Sequence, residues 1–186
     1  MIKKILTLVI FILIYQPINA KENTMLLKLK DGNVVIELFK DIAPKHVERF
    51  KKLAKEKKFD GVVFHRVIEG FMAQTGDVKY GNSGSENYNL DLAGTGDSEY
   101  PNLKAEFSDA AHERGTLSMA RSNDPDSANS QFFICFKASP FLDRQYTVFG
   151  KVVSGMEFVD LIKRGEGDNG QVVDPDKIIS LTADPS

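Results

Sequence analysis

Residues 64–77 read FHRVIEGFMAQTGD, and this stretch decides how the chain is interpreted. Arg66 lies inside a strand-like run of apolar residues, where a charged side chain is costly unless it is paired or used. Because side chains alternate along a strand, Met72 and Gln74 should share one face. The pattern alone leaves two interpretations equally open: a core strand with a salt-bridged arginine, or a strand whose guanidinium serves a functional site.

A second strand-like stretch, QFFIC at residues 131–135, shows the same alternation. Gln131 and Phe133 should point to one face, and Phe132 and Ile134 to the other. An ordinary hydrophobic strand would have the same spacing. By itself, this stretch does not distinguish a core strand from part of a site.

The remaining pattern predicts a mainly β fold. Asp31, Gly32 and Asn33 separate the first two strands, and this hairpin turn needs a glycine with positive φ. Seven or eight strands with only two helices favour a closed antiparallel barrel whose ends are covered by the helices. The expected strands are residues 25–30, 34–39, 62–68, 72–74, 115–119, 131–135, 147–153 and 177–182.

Two helices are predicted from their first residues. Pro44 is favourable in a first helical turn, where its missing N–H leaves no bond unmade. The apolar residues that follow at helical spacing are Val47, Phe50, Leu53 and Ala54. SGME at residues 154–157 has the pattern of a capping box, which would start a second helix that Gly165 closes.

Two further stretches, residues 165–170 and 78–105, are not typical of a strand or a helix. GEGDNG at residues 165–170 matches the dinucleotide-binding fingerprint by letter, but it follows a helix, and Glu166 and Asp168 would repel a pyrophosphate. We therefore predict a helix stop and surface turn there. The irregular stretch at residues 78–105 is too long for a neutral connector.

Composition excludes several classes of function. The chain has 186 residues and a formal net charge of −2, which indicates one domain and gives no basic excess for a nucleic-acid partner. The single cysteine, Cys135, cannot form an intrachain disulfide and is interpreted as a small buried hydrophobe. His46, His65 and His112 lack metal-ligand spacing, so we expect no metal site.

The N-terminus has the pattern of a secretory signal peptide. Lys3 and Lys4 precede an apolar run at residues 5–15, and QPINA follows at residues 16–20. As a helix the apolar run would span about 16 Å, roughly half of a bilayer core, which favours removal over anchoring. We expect cleavage near Ala20, a domain at residues 21–186, and a periplasmic or secreted product without stable membrane association. An uncleaved anchor remains the alternative, because Ile18 is bulky for a cleavage site.

Taken in order, the motifs resemble the cyclophilins, a family of peptidyl-prolyl cis–trans isomerases. The resemblance covers roughly residues 25–182. It implies a closed eight-stranded antiparallel barrel capped by two α-helices, catalysed rotation about X–Pro peptide bonds that assists the folding of exported proteins, and no cofactor. The motifs that carry it are FHR at 64–66, GFM at 70–72, Gln74, GD at 76–77, GTLSMA at 115–120, SQFFI at 130–134, FL at 141–142 and VFGK at 148–151.

The resemblance also implies roles for individual residues. It assigns Arg66, Gln74 and Phe71 to catalysis, with Gln74 bonding the substrate backbone. Ala120 and the backbone after it would bind the peptide that precedes the proline. The implied substrate-binding residues are Met72, Ala120, Gln131, Phe133, Phe141, Leu142 and Tyr146.

Two positions depart from the animal members of this family. Phe141 stands where they usually have tryptophan, and Tyr146 where many have histidine. In the family the tryptophan N–H donates to cyclosporin, and phenylalanine has no donor, so the resemblance implies weak cyclosporin binding. It otherwise implies proline-containing polypeptides as partners, and a monomer.

Two other classes of function are alternatives to the isomerase. One is a module that binds proline-containing segments without turning them over, although a pure binder has no need of Arg66. The other is a β-barrel carrier for small ligands or sugars. The absence of tryptophan and of a carboxylate cluster argues against sugar chemistry.

Overall fold

Residues 23–183 are described by a computed structural model of the protein, and the predicted signal peptide at residues 1–20 lies outside them. Within the described residues, the strands are β1 (Thr24–Lys28), β2 (Asn33–Leu38), β3 (Arg66–Ile68), β4 (Met72–Thr75), β5 (Thr116–Met119), β6 (Phe132–Cys135), β7 (Val148–Ser154) and β8 (Ser180–Ala183). The helices are α1 (Pro44–Lys55) and α2 (Met156–Asp160), with a 3-10 turn at Pro140–Leu142. No helix between residues 23 and 183 is long and apolar enough to cross a membrane.

The strands of the described chain form one antiparallel sheet in the order β3-β4-β6-β5-β7-β2-β1-β8. Its two edges, β3 and β8, are not joined by a ladder. The mainly β fold with two helices is confirmed, but the prediction of a closed barrel is wrong. The sheet is a curled half-barrel.

The reason lies in the backbone of residues 62–64, which the sequence assigned to a long strand ending at residue 68. Val63 N–H donates to Gly81 O at 2.9 Å, and Phe64 N–H donates to Asp176 O at 2.8 Å. A ladder needs successive bonds to one partner strand, and this segment divides its bonds between the long loop and the C-terminal segment. Residues 61–64 still bond to residues 176–178, since Gly61 N–H donates to Ile178 O at 2.8 Å and Ile178 N–H to Val62 O at 2.9 Å, but this short pairing forms only the isolated bridge between Val63 and Lys177 and no ladder.

The hairpin of β1 and β2 forms as predicted, with Leu29 N–H donating to Gly32 O at 2.9 Å. The expected positive φ is wrong, because Gly32 is not among the residues with positive φ in the described chain. Glycine here leaves room for a neighbouring side chain instead. A Cβ on Gly32 would lie 2.5 Å from the ring of Phe158.

Helix α1 begins at Pro44 and buries the predicted apolar stripe. Its N-cap residue, Ala43, has no side chain that can accept a hydrogen bond. Glu106 supplies the missing acceptor: its carboxylate accepts the N–H groups of Lys45 and His46, each at 3.1 Å, and lies 2.7 Å from His46 Nδ1. A carboxylate at this end also favours the helix dipole.

Helix α2 does not begin with a capping box, so that prediction is wrong. Its N-cap is Gly155 in the left-handed conformation, and no side chain caps it. Ser154 instead ends β7, where it pairs with Val35 of β2, so sheet pairing prevails over the local capping pattern. The helix ends at Asp160, well before the predicted stop at Gly165.

The half-barrel has a filled inner face and a smaller apolar cluster on its outer face. Four phenylalanines pack together inside, with ring centroids 5.1–6.2 Å apart: Phe50, Phe59, Phe132 and Phe149. The outer cluster contains Met72, Phe133, Cys135 and Leu142. Neighbouring residues of β6 thus lie on opposite faces, as the alternation at residues 131–135 predicted. The outer cluster is the floor of the site described next.

Candidate active site

The adjacent strands β3, β4 and β6 bring together polar and aromatic residues from the two stretches at residues 64–77 and 131–135. Arg66 on β3 is opposite Gln74 on β4, and Gln74 is opposite Phe133 on β6. Directly opposite residues of an antiparallel pair project to the same face. The register therefore places a guanidinium, an amide and an aromatic ring side by side on the outer face.

Arg66 is held by neutral acceptors. Its Nε donates to the backbone oxygen of Asn169 at 2.9 Å, and its Nη1 donates to Gln74 Oε1 at 3.2 Å. Among the ion pairs of residues 23–183, none includes Arg66, so the salt-bridged core arginine is not what this structure contains. Burial lowers the pKa of the guanidinium, with Tyr146 opposing the shift, but an arginine remains charged at neutral pH.

Two glutamines extend this hydrogen-bond chain across the sheet. Gln74 accepts from Arg66 through Oε1, and its Nε2 donates to Gln131 Oε1 at 3.1 Å. Gln131 Nε2 in turn donates to the backbone oxygens of Gly94 and Gly96, each at 3.0 Å. Because each amide has its oxygen and nitrogen committed to different partners, the orientation of both side chains is fixed.

Asp77 fixes the path of the long irregular stretch that the sequence left undefined. Its buried carboxylate accepts the backbone N–H groups of Lys79 at 3.0 Å and of Tyr80, Gly94 and Gly96 at 2.8 Å each. A buried carboxylate is tolerated when its oxygens are satisfied in this way. The loop is therefore tied back to the end of β4, where it presents the carbonyl groups that hold Gln131.

A cavity opens beside Arg66, which we call the main cavity. Its volume is about 420 Å³. Phe133 and Tyr146 meet edge to face with centroids 6.0 Å apart, and the rings of Phe71 and Phe141 lie 5.5 Å apart. Phe141 is 63% exposed, so it forms an outer wall of the cavity. The full lining is Arg66, Phe71, Met72, Gln74, Ala120, Arg121, Phe133, Phe141, Leu142, Gln145 and Tyr146.

Nine of the ten site residues named from the sequence line the main cavity, and Gln131 lies in a neighbouring one. This second space, which we call the side cavity, has a volume of about 320 Å³. The two cavities share Gln74, Ala120 and Arg121. The arrangement can hold a small apolar ring against Phe133 while offering hydrogen-bond donors to the backbone on either side of that ring.

Comparison with known families gives one match over nearly the whole described chain. Residues 24–183 match the family model of cyclophilin-type peptidyl-prolyl cis-trans isomerases. The chain belongs to the cyclophilin family. The resemblance that the motifs indicated is thereby confirmed, as is membership of a family of isomerases.

Related bacterial cyclophilins extend this conclusion. A probable peptidyl-prolyl cis-trans isomerase of Brucella suis is 60% identical over 162 residues, which cover 87% of this chain and 82% of that protein. A peptidyl-prolyl cis-trans isomerase of Helicobacter pylori is 40% identical over 151 residues, covering 79% and 85% of the two chains.

A solved cyclophilin gives the same result at the level of the fold. The cyclophilin-type isomerase of Cryptosporidium parvum, crystallised in the presence of the dipeptide Ala-Pro, superposes with a TM-score of 0.74 at 25% identity. The match covers 88% of this chain and 99% of that one.

His112 is a residue of this cyclophilin site that the sequence did not reveal. Its ring stacks on Phe133 with centroids 6.2 Å apart, its Nδ1 lies 2.8 Å from Asp143 Oδ1, and its Nε2 lies 3.0 Å from Ser118 Oγ. Its backbone oxygen accepts from Ser139 N–H at 2.7 Å. His112 thus ties the turn that carries Phe141 and Leu142 to the floor of the main cavity. Ser118 is six residues away, but Phe133, Ser139 and Asp143 are more than 20 residues away, so no local pattern marks it.

The turn at residues 165–170 is a second part of the site whose role was not predicted from the sequence. It is a turn, as predicted, with positive φ at Gly167 and Gly170. It is not merely a surface turn, because Asn169 accepts from Arg66 and a Cβ on buried Gly170 would lie 2.4 Å from Ile68. The glycines allow the turn to approach β3 closely enough to hold the guanidinium.

Cys135 lies in the apolar cluster beneath the cavity and is a free, buried cysteine. Burial raises the pKa of the Cys135 thiol to about 12, which keeps it protonated and unreactive beneath the cavity. Within residues 23–183, no group of three or more histidine, cysteine, aspartate or glutamate side chains is placed to hold a metal ion.

Proposed function

We propose that this chain accelerates cis–trans rotation about X–Pro peptide bonds, with Arg66 as the catalytic residue. The observation that carries the proposal is the position of Arg66. Its guanidinium is held on one side by Asn169 and Gln74, lies beside an apolar cavity, and is not neutralised by a carboxylate in the described chain.

The chemistry needs a donor of this kind. The peptide C–N bond resists rotation because of resonance, with a barrier near 18–20 kcal/mol. At the twisted transition state the proline nitrogen becomes pyramidal and gains a lone pair. A fixed guanidinium can donate to that lone pair while offering little to the planar ground state, so it binds the transition state preferentially.

The required rate gain is small enough for one such donor. Uncatalysed isomerisation takes about 10–100 s, and a typical enzyme turns over near 10 s⁻¹. The difference is roughly 100- to 1,000-fold, or about 3–4 kcal/mol. A preorganised charged donor in a partly desolvated site can supply most of that.

The other predicted residues would position the substrate. Met72, Phe133 and Leu142, with Phe71, Phe141 and Tyr146 around the rim, would enclose the proline ring. Gln74, oriented by Gln131, would bond the substrate backbone, and Ala120 would lie against the peptide that precedes the proline. The presence of an Ala-Pro dipeptide in the Cryptosporidium parvum study supports proline-containing peptides as the ligand class.

Replacement of Arg66 tests the catalytic assignment. Arg66→Ala should lower kcat/KM for X–Pro tetrapeptides at least tenfold while the protein remains folded. Arg66→Lys keeps the charge but not the planar guanidinium, so its kcat/KM should lie between those of Arg66→Ala and the unaltered protein. A protease-coupled isomerisation assay gives the rate, and circular dichroism checks the fold. A folded Arg66→Ala protein with unchanged rates would refute the assignment.

The same assay separates catalysis from binding alone. If the unaltered protein binds X–Pro peptides in calorimetric titrations without accelerating their isomerisation, it is a binding module. We favour the enzyme, because binding a proline ring needs the apolar cavity but gives no role to the held guanidinium of Arg66.

We further propose that the protein acts outside the cytoplasm as a monomer and assists the folding of exported proteins. The support for export is the sequence pattern of Lys3, Lys4, the apolar run and Ala20, and the monomer and the folding role follow from the resemblance to the family. N-terminal sequencing of protein recovered from its native envelope should find a chain beginning near Lys21. A soluble cytoplasmic protein that retains Met1 would contradict export, and Met1 in the membrane fraction would favour the anchor.

Cyclosporin should bind this protein weakly, because Phe141 has no N–H to donate. Calorimetric titration should give a lower affinity for the drug than an animal cyclophilin that carries tryptophan at this position. Phe141→Trp should strengthen binding. Equal affinities of the unaltered protein and Phe141→Trp would contradict this explanation.

A further inference from the structure

The main cavity carries an unbalanced positive charge. Its lining includes two guanidinium groups, those of Arg66 and Arg121, and no aspartate or glutamate. In the described chain, Arg114, Arg144 and Arg164 each form an ion pair with a carboxylate, but Arg66 and Arg121 do not. A ligand in this cavity therefore meets two positive charges that the protein itself leaves uncompensated.

Arg121 is fixed in place by groups that do not cancel its charge. Nε and Nη2 donate to the backbone oxygen of Gln145 at 3.2 and 2.9 Å, and Nη1 donates to Ser122 O at 2.8 Å. The guanidinium also lies over the ring of Tyr146, with Cζ 4.4 Å from the ring centroid. Since the plane is already oriented, a carboxylate that pairs with it would order little of the protein on binding.

The position of Arg121 indicates which part of a substrate it would meet. It directly follows Ala120, and it lines both the main cavity and the side cavity. A peptide with its proline ring in the main cavity and its preceding residue over Ala120 would carry that residue's side chain past the guanidinium. Asp97 lines the side cavity but not the main cavity, so its charge lies farther from the proline.

We propose that Arg121 is a specificity-determining residue that makes this site prefer an acidic side chain, aspartate or glutamate, immediately before the proline. The inference rests on the proposed isomerase function and adds a substrate class to it. Two opposite charges a few ångströms apart at a partly exposed site give an advantage of roughly three- to tenfold. The same field disfavours lysine at that position, and salt should weaken both effects.

Three peptides that differ in one residue test the preference. Ala-Glu-Pro-Phe, Ala-Gln-Pro-Phe and Ala-Lys-Pro-Phe are compared by NMR exchange, which measures kcat/KM without an auxiliary protease. The expected order is Glu, then Gln, then Lys, with a total range of roughly tenfold at low salt that shrinks as the ionic strength rises. Equal rates for the three peptides would overturn the proposal.

Two matched variants assign the effect to one residue. Arg121→Gln should remove most of the Glu-to-Lys preference, leaving only what the charge of Arg66 contributes, and Arg121→Lys should retain more of it. Arg144→Gln is the control, because it removes the same charge from an exposed residue that pairs with Asp109 at 2.8 Å and lines neither cavity. A Glu-to-Lys ratio that is unchanged in Arg121→Gln, or that Arg144→Gln lowers equally, would refute the role of Arg121.

Failure of the proposed function would look different. If none of the three peptides is turned over, the isomerase proposal fails, and calorimetric titration of the same peptides then measures the charge preference as a ratio of affinities. In that case the inference is supported if the Glu peptide binds more tightly than the Lys peptide to the unaltered protein and this difference becomes smaller in Arg121→Gln. Equal affinities overturn it.

Discussion

Phe132 and Phe133 are adjacent in β6, yet they belong to regions of opposite character. Phe132 is fully buried on the inner face and packs against the rings of Phe50, Phe59 and Phe149. Phe133 lies on the outer face, where it forms the floor of an open cavity lined by two arginines. The inner face is mainly buried apolar surface, and the outer face has an open cavity with two guanidinium groups that no carboxylate pairs with in the described chain. The first arrangement stabilises the fold and the second is suited to binding.

Replacing each of these two rings by alanine tests most directly whether the inner and outer faces have separate roles. Phe132→Ala should lower the free energy of unfolding by about 3–5 kcal/mol, because it leaves a cavity in a filled core. Phe133→Ala should cost less stability, since its ring already borders open space, but it should lower kcat/KM at least tenfold. Urea unfolding and isomerisation assays on both variants check this. Equal losses of stability and activity in the two variants would show that the faces are not functionally separate.

The buried histidine beside Arg66 should make stability depend on pH. Burial lowers the pKa of His65 from 6.5 to about 4 in the folded protein. The unfolded chain therefore binds the proton first as the pH falls, and stability should decline from about pH 6.5 to about pH 4, by up to about 3 kcal/mol. Below that range both states are protonated, and the contribution changes no further.

His65→Gln is the matched variant for this prediction. Urea unfolding at several pH values should show a flatter profile in the variant than in the unaltered protein. Some slope should remain, because burial also lowers the pKa of His46. An identical profile in His65→Gln would locate the pH dependence elsewhere in the chain.

His112 is a buried residue that nevertheless positions part of the main cavity, so it tests how far stability and substrate binding can be separated. His112→Phe keeps a ring next to Phe133 and the backbone bond from residue 112 to Asp143 but removes the imidazole's bonds to Asp143 and Ser118, so the turn that carries Leu142 should be held less firmly. We expect KM to rise roughly threefold to tenfold with a smaller change in kcat, since Arg66 is held by other residues. A purely structural role would instead lower stability with KM unchanged. Steady-state kinetics by NMR exchange, with urea unfolding alongside, separates the two results.

The smallest expected effect concerns the N-terminal cap of α1, because Glu106 lines neither cavity. Glu106→Gln keeps the size of the side chain but weakens its bonds to Lys45 and His46, and should cost about 1 kcal/mol of stability with kcat/KM unchanged. Glu48→Gln is the control, because Glu48 is exposed on the same helix and its ion pair with Lys45 should contribute at most about 0.5 kcal/mol. Equal effects of the two substitutions on the unfolding midpoint in urea would mean that Glu106 does not act as the cap.

The sequence alone determined those features that depend on neighbouring residues. Alternation at residues 131–135 separated Phe132 from Phe133, and Pro44 marked the start of α1, because strand period and helix entry are properties of a few consecutive residues. The ordered motifs identified the family and named ten site residues. Nine of these line one cavity.

Only the tertiary structure decided the features that join distant segments. Arg66 is held by Asn169, which is 103 residues away, and Gln74 is oriented by Gln131, which is 57 residues away. The cap from Glu106, the loop path set by Asp77 and the open edge of the sheet likewise depend on backbone groups that meet only in the folded chain. The predicted capping box at Ser154 failed for the same reason, because Ser154 pairs with Val35 and ends β7.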